Sequence, residues 1–75
     1  MNKIKRKQLN KAKQLLNEAR EIIDSVIFDE DNAFNNLSEG LQQTMRGEQM
    51  ENNVSELEEA IDNIDNTIDN LNNIE

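Results

Sequence analysis

The chain has 75 residues and a net charge of −8, and it contains no Cys, His, Pro or Trp. This length allows one domain, residues 1–75, and a chain so short needs disulfides, a metal or self-association to complete its core. Without Cys and His, disulfides and zinc sites are excluded, so self-association is the expected route.

The first predicted element is a helix over about residues 3–35. Its apolar residues recur at intervals of three or four, as one face of a helix requires; they are Leu9, Ala12, Leu16, Ala19, Ile23 and Val26. Leu15 and Ile22 form a second row beside this seam, and Ile27 adds width. A stripe so broad is more than one helix covers. We therefore expect Leu15, Ile22 and Ile27 to mediate self-association.

The first twenty residues carry seven of the eight basic side chains and a single acid. Four of them are candidate anion-binding residues: Lys5, Arg6, Lys13 and Arg20. The favoured interpretation is that they pair with acids of the second helix. The alternative is that several copies converge on a pocket for a small anionic nucleotide. Direct nucleic-acid binding is not expected, because the net charge is negative and no aromatic residues interleave the basic ones.

A turn is predicted over about residues 36–43, where Asn, Ser and Gly accumulate. The apolar residues Phe34, Leu37, Leu41 and Met45 lie within or beside it, so we expect them to fold back over the end of the molecule.

The second helix is predicted over about residues 44–73, with Thr44 as its N-cap. Its apolar residues follow a strict heptad seam: Met50, Val54, Leu57, Ile61, Ile64, Ile68 and Leu71. Gly47 falls on this row, and we expect it to make room for Phe34 or Leu37. The alternative is that Gly47 admits a partner contacted by Arg46.

The predicted fold is all-α, a coiled-coil-like antiparallel hairpin of two helices. The basic start of the first helix then faces the acidic end of the second, with Lys13 near Asp69 and Arg20 near Asp62. Helix 1 packed on helix 1 of a second copy would give a four-helix bundle.

No catalytic constellation is evident. Glu58, Asp62, Asp65 and Asp69 line one helix flank, and a solvated acidic face is the favoured interpretation, with mimicry of DNA phosphates as the alternative. We expect no metal, no cofactor and no enzymatic activity. The basic start is not followed by an apolar run, so neither a signal peptide nor a membrane helix is predicted, and the expected location is the cytoplasm.

Three segments carry a resemblance to a family: residues 33–42 (AFNNLSEGLQ), residues 46–51 (RGEQME) and residues 57–62 (LEEAID). They resemble small phage and prophage proteins of low-GC Gram-positive bacteria, which are helical hairpins without a settled role. Ser38 stands where family members often have Pro.

The resemblance implies a phage-type binding protein that inhibits a host defence or replication factor in the host cytoplasm. The expected partner-binding residues are Phe34, Arg46, Gly47 and Glu48. Two alternatives stay open: an oligomeric sponge for an anionic nucleotide immune signal, and a structural or scaffolding hairpin.

Overall fold

The computed structural model describes all 75 residues and contains three helices. They are α1 (Lys3–Asn35), α2 (Glu39–Gln42) and α3 (Met45–Asn72). No strand is present, so the all-α prediction is confirmed. The region predicted as a turn holds the short helix α2, which packs against α3.

Polar side chains at the helix starts explain where the elements begin. The Asn2 side chain accepts a hydrogen bond from the Lys5 amide at 2.8 Å, and the Ser38 hydroxyl accepts one from the Leu41 amide at 3.4 Å. Both satisfy amides that have no partner within the helix. Thr44 occupies the position before α3, but its hydroxyl donates to the Leu41 carbonyl and caps no α3 amide.

The long helices α1 and α3 lie side by side and run in opposite directions. Lys13 Nζ donates to Asn72 Oδ1 at 3.1 Å, and Arg20 Nε donates to Asp65 Oδ1 at 2.7 Å. Seven residues forward on α1 thus match seven residues backward on α3, which is two helical turns and one heptad. The result is a rod with principal extents of 58 × 15 × 12 Å.

The core of this rod is thin. Only Gly47, Met50 and Ile61 are buried, and the remaining seam residues are half-buried, apart from the exposed Val26. The accessible surface is 5893 Å², whereas a compact monomer of this mass exposes about 4,700 Å². The radius of gyration is 17.2 Å, against about 11 Å for a compact domain of this length. A single copy therefore leaves much apolar surface in contact with water.

Candidate interaction surfaces

Arg20 forms the main polar link between the two long helices. Its guanidinium donates to both carboxylate oxygens of Asp65, at 2.7 and 3.2 Å, and to Asp24 at 2.9 Å. The hydrogen bond to Asp65 raises the pKa of the Arg20 guanidinium above its ordinary value, and the same bond lowers the pKa of the Asp65 carboxyl. Arg20 is therefore neutralised within the chain.

The observed cross-helix pairs differ from the predicted ones by about one turn. Arg20, predicted to lie near Asp62, bonds to Asp65; Lys13, predicted to lie near Asp69, bonds to Asn72. Both shifts are three residues in the same direction. The axial offset of the helices is set by the length of the connection and by side-chain packing, which charge pattern alone does not determine.

The four candidate anion-binding residues do not come together in one chain. They extend from position 5 to position 20 of α1, about 22 Å at the rise of an α-helix. Arg20 is paired with carboxylates, Lys13 with an amide oxygen, and Arg6 with the Met1 carbonyl at 3.2 Å. Lys5 alone has no partner among these contacts.

One flank of α1 exposes an apolar row, which we define as Leu15, Ile22 and Val26. These side chains are 51%, 66% and 45% exposed. Ile27, which the sequence predicts on this flank, is instead half-buried and lines a shallow groove together with Ile61 of α3. In the structure the seam continues from Ile23 to Ile27 and not to Val26. Val26 is therefore the exposed residue at the end of the row, where the sequence predicts Ile27.

The turn combines one buried glycine with exposed apolar side chains. Gly47 is buried, and a β-carbon built on it would lie 2.1 Å from the Gln42 carbonyl oxygen. The close neighbour is therefore the backbone of α2, and neither Phe34 nor Leu37 as predicted. Met45 and Leu41 are 86% and 53% exposed.

The four residues predicted to bind a partner differ in their exposure to solvent. Arg46 and Glu48 are exposed, Phe34 is half-buried and Gly47 is buried. Only the first two are exposed to solvent. Leu41 and Met45, which the sequence predicts to fold back over the end of the molecule, instead extend the exposed surface next to Arg46.

Gln42 organises the turn, a role that the sequence does not predict. Its side-chain amide donates to the carbonyls of Phe34 and Leu37, each at 3.2 Å. These carbonyls belong to the end of α1 and the residues after it, where the helix itself supplies no donors. A lone Gln in a predicted turn gives no pattern by which this role could be recognised.

An open groove of about 410 Å³ lies between the end of α1 and the start of α3. It is lined by the apolar side chains of Phe34, Met50 and Val54 and by the carboxylates of Asp31, Glu51 and Glu58. No basic side chain lines it, and no three acidic side chains anywhere in the chain are grouped to hold a metal ion. None of the helices has the length and apolarity needed to cross a membrane.

Comparison with known proteins gives no relative. The chain matches no protein-family model, no curated protein and no solved structure.

Proposed function

We propose that this chain is a small non-enzymatic phage-type binding protein that self-associates and inhibits a host defence or replication factor by covering part of its surface. The observation that carries the proposal is the exposed surface at the turn, defined as Leu41, Met45 and Arg46. The sequence resemblance supports the phage context.

The composition of the turn surface suits protein recognition. Met and Arg are enriched at protein interfaces, and Met in particular adapts its shape to a partner. Met45 is the most exposed large apolar side chain in the molecule, at 86%. It stands at the first residue of α3, so the helix holds it in place while water surrounds it.

The turn surface is supported by a tightly packed base. Gly47 lies directly against the backbone of Gln42, whose side chain in turn caps α1. A surface held in this way loses little conformational freedom on binding, which favours affinity.

The proposal is tested in a bacterium that carries a phage defence system. Expression of the wild-type chain should raise the plating efficiency of a sensitive phage, and Met45→Asp should abolish that effect by placing a charge in the interface. Phe28→Asp is the matched control, because Phe28 is also highly exposed and lies on α1 away from the turn.

The same three proteins should be used as bait in affinity capture from the host lysate. A host protein retained by the wild type and Phe28→Asp but lost with Met45→Asp would identify the target. Equal behaviour of all three chains in both assays would exclude the turn surface as the functional site.

A further inference from the structure

The exposed apolar row of α1 is longer than its three central members. Ile4, Leu15 and Val26 are spaced at intervals of eleven residues, and Ile4 is 71% exposed. Eleven residues make three turns of about 3.67 residues, close to the natural period of the helix. The row therefore runs nearly parallel to the helix axis, whereas the seam toward α3 follows the heptad.

We infer that a second copy of the chain packs its own α1 antiparallel on this row; the inference rests on the proposed self-association and specifies its geometry. With the half-buried seam residue Ala19, which borders the row, the intervals from Leu15 through Ala19 and Ile22 to Val26 are four, three and four, and they are the same in both directions. A two-fold axis between Ala19 and Ile22 therefore sets Leu15 against Val26 of the second copy. It also sets the small Ala19 against the large Ile22, which lets the helices interdigitate.

Charge along α1 selects the antiparallel direction. Residues 3–20 carry seven bases and one acid, and residues 21–35 carry five acids and no base. Antiparallel copies bring opposite halves together, whereas parallel copies would oppose like charges. Lys11 lies four residues before Leu15, and Glu30 lies four residues after Val26. In the antiparallel dimer, Lys11 of one copy would therefore face Glu30 of the other. Neither has an ion-pair partner within the chain, where the ion pairs are those of Arg20.

The neighbouring flank of α3 is almost free of charge. Asp65 marks the flank of α3 that meets Arg20, and the carboxylates Glu51, Glu58, Asp62 and Asp69 recur there at helical spacing. The opposite flank, which adjoins the exposed row, carries neutral residues with one exception, Glu56; its neutral members are Gln49, Asn53, Ala60, Asn63, Thr67 and Asn70. A second copy can approach this side without meeting a row of like charges.

The available area suits a stable dimer. The surface of one chain exceeds that of a compact monomer by about 1,200 Å². A standard protein interface buries about 800 Å² on each partner. Two copies joined along α1 would form a four-helix bundle with α1 helices at its centre and α3 helices outside.

Disulfide trapping distinguishes the two directions, because the chain has no native Cys. Differently tagged Leu15→Cys and Val26→Cys chains are mixed under mild oxidation. Antiparallel packing predicts the mixed disulfide as the main product, since only facing residues reach bonding distance. A parallel arrangement would instead link Leu15→Cys to itself and would overturn the inference. Phe28→Cys, off the row, should remain largely uncross-linked.

Light scattering supplies a second measurement. The wild type and Phe28→Asp should have the mass of a dimer, and Ile22→Asp should have the mass of a monomer, although Phe28 and Ile22 are both 66% exposed. A monomeric wild type at about 100 µM, well above the Kd of a micromolar dimer, would overturn both the geometry and the self-association. A wild-type chain that is monomeric and still captures its target would overturn the inference while leaving the host-binding part of the proposal in place.

Discussion

The guanidinium of Arg20 donates two hydrogen bonds to the carboxylate of Asp65, from Nε at 2.7 Å and from Nη2 at 3.2 Å. This bidentate pair joins α1 to α3 near the middle of the rod. Because both side chains are partly exposed, with 37% and 44% of their side-chain surface accessible, solvent screens the pair and its contribution to stability is modest.

The Arg20–Asp65 pair predicts a specific pH dependence. The pKa of Asp65 is lowered from its ordinary value of 3.8 by the hydrogen bond from Arg20. Its stabilising contribution is therefore complete above the ordinary value and is lost as the pH falls through the lower folded value. Urea unfolding should show wild type more stable than Asp65→Asn at pH 7, with the difference shrinking below about pH 4. Asp69→Asn, which breaks no ion pair, should show no such convergence.

The two glycines should respond in opposite directions to replacement by Ala. Gly47→Ala would bring a methyl group to 2.1 Å from a backbone oxygen of α2, so the turn must shift and the chain loses stability. A β-carbon added at Gly40 would have no other atom within 4 Å. Gly40→Ala should therefore raise the free energy of unfolding by up to about 1 kcal/mol through its higher helix propensity. Thermal unfolding of both variants gives the signs, and a stabilised Gly47→Ala would contradict the close approach.

Gln42 should contribute more to stability than its neighbour. Gln42→Ala removes two side-chain hydrogen bonds to the carbonyls of Phe34 and Leu37, and a loss of roughly 1–2 kcal/mol is expected. Gln43→Ala changes an exposed side chain without such bonds and should stay within about 0.5 kcal/mol of wild type. Chemical denaturation measures the stability of both variants. Equal denaturation midpoints for Gln42→Ala and Gln43→Ala would show that the two hydrogen bonds of the Gln42 side chain contribute nothing to stability.

Ile61 should be the most sensitive apolar position of the seam. It is 7% exposed, so Ile61→Ala should cost about 2–4 kcal/mol in free energy of unfolding. Phe28→Ala removes a larger side chain that is 66% exposed and should cost less than about 1 kcal/mol. The reverse order in urea midpoints would mean that Phe28 is covered in the assembled protein.

Much of the local structure follows from the sequence. Apolar residues at heptad spacing from Met50 to Leu71 can share a face only in a helix, and the absence of Pro allows both helices to continue for many turns. The all-α fold and the surplus width of the α1 stripe are therefore readable without coordinates. Leu15 and Ile22 are exposed because they lie beside the seam, and spacing alone places them there.

Axial offsets and close approaches depend instead on how the helices pack in three dimensions. Periodicity identifies residues that share a face, but Val26 and Ile27 differ by one position at the edge of the stripe, and only the packed structure shows that Ile27 is half-buried while Val26 is exposed. Likewise, charge favours an antiparallel order without fixing whether Arg20 meets Asp62 or Asp65. Which of these residues pair depends on the connection through α2. The path of that connection depends on the close approach of Gly47 to the Gln42 backbone. A backbone contact of this kind produces no periodic pattern of residues, so the sequence does not predict it.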